Sequence, residues 1–218
     1  MTLPGRAPPL APPPLGAVIR FLPVAEGDAS LVAALTARTH GAQAAFVERY
    51  GRYVERLLVR VVGFDPEVPD LLQEVFLRAL ESLDRLESPA RLKGWLGSIA
   101  LFTARAWLRD RRSRMRWLHF RSPFEIPEPA APARVPEAVE ALSRTYVLLD
   151  RLPADERIAL ALRLIEGMDL REIAELSRVS LATVKRRLAR AEKQFLDAAR
   201  RDPLLRDRIE RGTRWSDR

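Results

Sequence analysis

A cluster of cations around residue 185 carries the chemistry by which this chain can hold an acidic partner. Lys185, Arg186, Arg187 and Arg190 lie close together, and Thr183 adds a hydroxyl just before them. Ammonium and guanidinium groups neutralise phosphates, and these side chains can also donate hydrogen bonds to base edges in the major groove. The residue types therefore predict a contact with duplex DNA.

Apolar residues alternate with these cations at spacings of three and four. That spacing places them on one side of a helix, which must pack against another element. The five residues are Leu181, Val184, Leu188, Ala191 and Phe195. The cations then point outward from the packed side, as the recognition helix of a helix-turn-helix requires.

The residues before this helix predict a second, shorter helix and the turn that joins the two. Asp169 followed by Glu172 matches a capping box, and Ser180 can cap the basic helix. Ala174 and Val179 are small enough for the two helices to cross closely. Together these features favour a DNA-binding helix-turn-helix over the alternative, an amphipathic helical hairpin with solvated arginines.

The overall composition agrees with a helical protein that has an acidic partner. The 218 residues carry a net charge of +8, with a hydrophobic fraction of 47% and only three tyrosines. There is no cysteine, and His40 and His119 lie far apart in the sequence. We therefore expect an all-α fold with no catalytic residues, no metal site and no cofactor.

The N-terminus lacks the pattern of a secretory signal, and no apolar run reaches the length of a membrane span. We expect a cytoplasmic protein without membrane insertion.

Proline-rich stretches divide the chain into parts. A disordered arm is predicted for residues 1–24, and an extended linker for residues 120–137, which contain five prolines. The linker separates two predicted helical domains, 25–119 and 138–200. A charged tail over 201–218 follows the second domain.

The first domain reads as helices with wide apolar stripes, followed by a loop at 84–93 and a further helix from near Trp95 past Leu108. The end of that helix is rich in arginine, since residues 105–121 hold seven arginines against one aspartate. Aromatic residues lie among them: Trp95, Phe102, Trp107 and Trp117. Cations with flat rings favour binding of unpaired or distorted DNA, and the alternative is that the rings belong to the core.

The second domain is predicted to contain four helices. Their expected bounds are 138–150, 154–166, 170–176 and 181–199. Asp155 and Glu156 fall in the first turn of the second of these, where the helix dipole favours acidic side chains.

The order and spacing of four segments resemble the two-domain bacterial RNA polymerase sigma factors of the extracytoplasmic-function (ECF) group, in the sigma-70 family. The segments are PDLLQEVFLRAL (69–80), LKGWLGSIA (92–100), LDRLPADERIALALRLIEGMDLREIAEL (149–176) and VSLATVKRRLARA (179–191). The resemblance covers about residues 28–200.

This resemblance implies a promoter-specificity subunit rather than an enzyme. Its implied partners are the clamp and flap of core RNA polymerase, promoter DNA, and an anti-sigma factor. The implied contacts with polymerase are Asp70, Gln73 and Glu74. The implied contacts with the −10 element are Arg85, Arg91, Lys93, Trp95, Phe102, Arg105, Arg109 and Arg112. The implied contacts with the −35 element are Arg178, Ser180, Thr183, Lys185, Arg186, Arg187 and Arg190.

Three positions and one loop depart from the family pattern. Phe102 stands where asparagine is common and Ala106 where aspartate is common, so Phe102 either stacks on a base or is buried. The loop at 85–93 lacks the usual aromatic residue, which gives its cations a larger expected share of the DNA contact. Arg178 stands where glycine is common, and a positive φ there costs a side chain about 1 kcal/mol.

Two other functions are compatible with parts of the sequence. A stand-alone helix-turn-helix regulator would bind a palindromic site as a dimer without polymerase. A nuclease would need clustered carboxylates or histidines for metal or general-base chemistry, and the acidic residues here are spread along helix faces.

Overall fold

The computed structural model describes residues 27–121 and 137–206, with side chains for residues 27–114 and 140–206. Within those ranges the chain forms eight α-helices, two short 3-10 turns and no strand. The first four helices are α1 (Asp28–Thr36), α2 (Ala42–Val62), α3 (Val68–Glu81) and α4 (Leu92–Arg121). The last four are α5 (Glu137–Leu149), α6 (Ala154–Leu164), α7 (Leu170–Ser177) and α8 (Leu181–Ala199). The predicted all-α class is confirmed.

The predicted helix bounds are close to those observed, with two differences. The loop expected at 84–93 contains the 3-10 turns Leu83–Arg85 and Pro89–Arg91, and α4 begins directly after the second turn. α4 also continues to Arg121, two residues into the segment 120–137 predicted as the linker. The arm at 1–24, most of the linker and residues 207–218 of the tail lie outside the described residues.

The first module, α1–α4, is built on the predicted apolar stripe of α2. Phe46 lies at its centre, with its ring edge-on to Phe76 of α3 at a centroid distance of 5.0 Å. Val54 and Leu57 continue the buried side of α2, and Leu96 of α4 joins the same core. The long α4 is thereby fixed against α2 and α3, with its other side available for contacts outside the module.

The second module, α5–α8, packs α8 against α6 and α7 through the predicted stripe. Val184, Leu188, Ala191 and Phe195 are buried, and Leu181 is half-buried at the first turn. This packing fixes which side of the basic helix faces outward.

The second module also packs directly against the C-terminal end of α2. The backbone carbonyls in the last turn of a helix lack partners within the helix. Arg157 of α6, only 2% exposed, donates from Nε to the Val61 carbonyl at 2.7 Å and from Nη2 to the Val62 carbonyl at 2.6 Å. Burial lowers the pKa of Arg157, while its ion pair with Asp150 raises it. Tyr146 of α5 adds a hydrogen bond to the Val59 carbonyl.

A second contact between the modules depends on a glycine. α4 and α7 are in contact at Gly97, where an added Cβ would lie 2.7 Å from Cδ1 of Leu176 and would also collide with the hydroxyl of Tyr53 in α2. The absence of a side chain at Gly97 therefore allows the observed approach of the two helices. We refer to these contacts, around Val61, Gly97, Arg157 and Leu176, as the module interface.

Candidate nucleic-acid interface

The predicted helix-turn-helix is held at both helix starts by the expected side-chain caps. Asp169 accepts hydrogen bonds from the backbone amides of Arg171 and Glu172 at 2.7 and 2.8 Å, and Glu172 accepts from the Asp169 amide at 2.7 Å. The hydrogen bond from the Glu172 amide is the main reason that the pKa of Asp169 is lowered. Ser180 accepts from the Thr183 amide at 3.2 Å and so starts α8. Both predicted caps are confirmed.

The turn between these helices contains the predicted backbone strain. Arg178 ends α7 with φ 53° and ψ 47°, which is the left-handed region. A glycine adopts this conformation without the clash that a Cβ introduces. Arg178 is exposed, two residues before Ser180, which caps the start of α8, and it lines the groove between the two modules described below.

The outward side of α8 presents most of the predicted −35 cations. Lys185, Arg186 and Arg190 are exposed. Thr183 is half-buried, and its hydroxyl lies 2.9 Å from the Ser180 hydroxyl. The helix therefore offers a row of cations along the side opposite its packed stripe, which is the arrangement that a major-groove contact needs.

Arg187 differs from its neighbours because it pairs with Asp155 of α6. Its Nη2 lies 3.3 Å from Oδ2 of Asp155. The same carboxylate faces α4, where Nε of Arg105 lies 2.6 Å from Oδ1 and Nη2 of Arg109 lies 3.4 Å from Oδ2. The contact with Arg105 is a close charge pair without hydrogen-bond alignment. One carboxylate thus brings together predicted −10 and −35 residues.

The aromatic residues of α4 fall into two groups. Trp95 is 8% exposed and Trp107 is also buried, with its indole N–H donating to Glu67 at 2.7 Å. Core packing is therefore the role that the structure supports for both rings. Phe102, in contrast, is 57% exposed. Arg109 and Arg112 are exposed further along the helix, and the side chain of Trp117 lies outside the described residues.

The predicted loop cations line a groove between the two modules. Arg85, Arg91 and Lys93 lie on one wall of this groove, which has a volume of about 1030 Å³. Glu172, Glu175 and Arg178 of the second module line the same groove. The loop cations thus share the groove with both acidic and basic side chains of the second module, and Arg91 also pairs with Glu87 of its own loop.

The predicted polymerase contacts share the exposed side of α3. Asp70 and Gln73 are exposed, and Glu74 forms an ion pair with Arg78. Leu77, which the sequence interpretation does not single out, extends the same side and is 52% exposed. Its spacing of four from Gln73 is the signal that could have identified it.

Among residues 27–114 and 140–206, whose side chains the structure describes, no group of three or more His, Asp or Glu side chains has a geometry that could hold a metal ion. Over residues 27–121 and 137–206, no helix combines the length and apolarity needed to cross a membrane.

Family comparisons agree with this two-module arrangement. The model of Sigma-70 region 2 matches residues 46–114, and that of Sigma-70, region 4 matches residues 142–195. The RNA polymerase sigma-H factor of Pseudomonas aeruginosa is 30% identical over 169 residues, covering 74% of this chain and 86% of that protein. The chain belongs to the sigma-70 family. As a sigma factor, it carries the region 2 match on α2–α4 and the region 4 match on α5–α8.

Further relatives place this sigma factor in the predicted group. The ECF RNA polymerase sigma-E factor of Escherichia coli (strain K12) is 29% identical over 177 residues, covering 76% of this chain and 91% of that protein. The solved complex of CnrH with the cytosolic domain of CnrY has the same fold, with a TM-score of 0.53 and 23% identity over 80% of this chain and 98% of that chain. The predicted membership of the ECF group is confirmed.

Proposed function

We propose that this sigma factor binds core RNA polymerase and directs initiation by reading two promoter elements with two different modules. Residues 25–119 bind polymerase and the −10 element, and residues 138–200 bind the −35 element, with 120–137 as the linker. The observation that carries this proposal is the presence of region 2 and region 4 matches on one chain, each with an exposed cationic surface.

The −35 element is read by α8. Its exposed cations contact phosphates, which position the helix, while the groups near its start reach base edges. Lys185, Arg186 and Arg190 are accessible for this contact in the observed arrangement, and Arg187 becomes accessible when it leaves Asp155.

The −10 element is held in single-stranded form by α4 and the preceding loop. Arg105, Arg109 and Arg112 supply charge for phosphates, and Phe102 supplies an exposed ring for a base. The chain performs no chemistry in this role. The free-energy cost of unpairing the −10 bases is offset by base stacking and by contacts with polymerase.

The two modules must separate to reach both elements. Elements centred about 25 base pairs apart lie roughly 85 Å apart along B-form DNA. Modules that share the hydrogen bond between Arg157 and Val61 cannot span that distance. The 15 residues between Arg121 and Glu137 extend to at most about 50 Å. The length of this segment, added to the lengths of the two modules, is sufficient for separated modules to reach both promoter elements.

The partners of this sigma factor follow from the same surfaces. Core polymerase binds the exposed side of α3 through its clamp, and the second module through its flap. An anti-sigma factor is a further partner, since CnrH, which shares the fold, forms a complex with the cytosolic domain of CnrY. The cytoplasm, where the polymerase acts, is the expected location.

A run-off transcription assay tests the proposed function. Core polymerase freed of other sigma factors is mixed with this protein and a library of genomic fragments, and discrete transcripts are sought. Transcripts that require both proteins support the proposal. Tight binding of the free protein to a palindromic site, with no stimulation of polymerase, would support the stand-alone regulator instead.

A further inference from the structure

An arginine of α3 lies beside the exposed ring of Phe102. The guanidinium carbon of Arg78 is 5.3 Å from the centroid of the Phe102 ring. Glu74 holds this guanidinium in place, since its Oε1 accepts from Nε of Arg78 at 2.9 Å and from Nη2 at 2.5 Å. Because more than half of Phe102 is in solvent, the ring retains a free surface while Arg78 is beside it.

This pair lies apart from the contacts that join the two modules. Arg105, three residues after Phe102, belongs to the Asp155 cluster. Phe102 itself is exposed, and Arg109 continues the same side of α4 two turns later. A strand lying along α4 can therefore place a phosphate at Arg109 and a base at Phe102.

We propose that Arg78 and Phe102 form a stacking platform for one unpaired base of the −10 element, which holds the base without reading its hydrogen-bonding edge. This inference rests on the proposed function and assigns Arg78 a role in DNA binding. It also specifies how the promoter is read at this position.

The chemistry of the two side chains determines this mode of recognition. A phenyl ring has no hydrogen-bond donor or acceptor, so it cannot distinguish bases by their edges. It can stack on the face of any base, and an adjacent guanidinium adds a cation–π contribution. The promoter position over Phe102 should therefore tolerate all four bases, with a mild preference for purines because of their larger faces.

The test uses holoenzyme and single-stranded oligonucleotides selected from a random pool by binding to wild-type holoenzyme. Each position of a selected oligonucleotide is replaced in turn by an abasic site, and affinity is measured for wild type and for Phe102→Ala. We expect Phe102→Ala to weaken binding on the order of ten-fold. An abasic site at one position should abolish that difference, whereas abasic sites elsewhere should leave it intact.

Further variants separate stacking from other effects. Phe102→Trp should retain binding, and Arg78→Ala should lose part of the affinity at the same position. Phe102→Asn should gain discrimination between bases there, because an amide can donate and accept. Phe64→Ala is the matched control, since Phe64 is a still more exposed ring, at 78%, in the connection between α2 and α3.

Three results would overturn the inference: no loss of binding in Phe102→Ala, a loss that no single abasic site removes, or strong base discrimination by wild type at the assigned position. The proposed function would survive each of them if holoenzyme still initiates from promoters. Holoenzyme that binds no oligonucleotide and starts no transcript would instead refute both.

Discussion

Arg157 in the second module donates a hydrogen bond of 2.7 Å to the backbone carbonyl of Val61 in the first. The donor is almost completely buried, and the acceptor lies in the last turn of α2, where carbonyls lack partners within the helix. A side chain of one module therefore completes the hydrogen bonding of a helix in the other.

Replacing this arginine should weaken the packing of the two modules. Arg157→Met keeps much of the side-chain volume but leaves the carbonyls of Val61 and Val62 without their donor. We expect a loss of about 3 kcal/mol in unfolding free energy and a larger radius of gyration, measured by urea denaturation and by small-angle X-ray scattering. Arg151→Ala, which removes a nearby exposed arginine, is the control and should change neither quantity. If the two variants had the same unfolding free energy and the same radius of gyration, this role of Arg157 would be contradicted.

Neutralising Asp155 should increase the affinity of the free protein for duplex −35 DNA. Asp155→Asn removes the charge that pairs with Arg105, Arg109 and Arg187, so these cations become available to phosphates. We expect the binding free energy to become more favourable by about 1 kcal/mol at low salt, which lowers Kd roughly five-fold. Asp197→Asn makes the same charge change at an exposed site on α8. The prediction fails if both variants show the same increase in DNA affinity, since the increase would then come from net charge alone.

Replacing Arg178 in the strained turn should increase the stability of the fold but decrease its affinity for DNA. Arg178→Gly should raise the unfolding free energy by about 1 kcal/mol, because glycine accepts a φ of 53° without strain. It should also weaken −35 binding, because it removes an exposed guanidinium beside α8. Thermal denaturation and a DNA-binding titration measure the two effects separately. A stabilised variant with unchanged DNA affinity would remove Arg178 from the contact surface.

How much of this molecule could be predicted from its sequence depended on whether the determining contacts are local. The caps at Asp169 and Ser180 are formed with residues two or three positions away, and both were predictable for that reason. The buried stripe of α8 follows from helical periodicity alone. The left-handed turn at Arg178 was expected only because glycine is common there in the family.

Contacts over long sequence separations were not predictable in this way. Arg157 is a cation within an amphipathic helix, and no local pattern indicates that it is buried against residues nearly a hundred positions earlier. For Asp155 the sequence predicts only a favourable interaction with the dipole of its own helix. The structure shows that Asp155 also forms ion pairs with three arginines from two other helices. The burial of Trp95 and the exposure of Phe102 were left open, because only the packing of α4 against its neighbours decides which side is covered.

Loss of polar groups from the exposed side of α3 should weaken holoenzyme assembly. Asp70→Ala and Gln73→Ala are expected to reduce affinity for core polymerase about five-fold or more each, without changing thermal stability, because both side chains are exposed. Glu81→Ala, on the last residue of α3, serves as the control. Unchanged assembly in both variants would mean that this side of the helix is not the polymerase contact.

The salt dependence of DNA binding should report the phosphate contacts of α8. Arg190→Ala is expected to weaken binding to −35 duplexes and to lower the slope of log K against log salt concentration by about one. Arg200→Ala, an exposed arginine just beyond the end of α8, should leave the slope unchanged. An equal slope for Arg190→Ala and wild type would exclude a phosphate contact at residue 190.

Gly97, near the start of α4, has a consequence for how the contact between the two modules can change during evolution. A methyl group added at Gly97 would displace the end of Leu176 in the second module and the end of Tyr53 in the first. Both obstructing groups are the ends of side chains, which can move, so an alanine at this position would weaken the contact between the modules without preventing it. Substitution at this one position should therefore shift the balance between the docked form and the proposed separated form, with every proposed DNA-contacting side chain left unchanged.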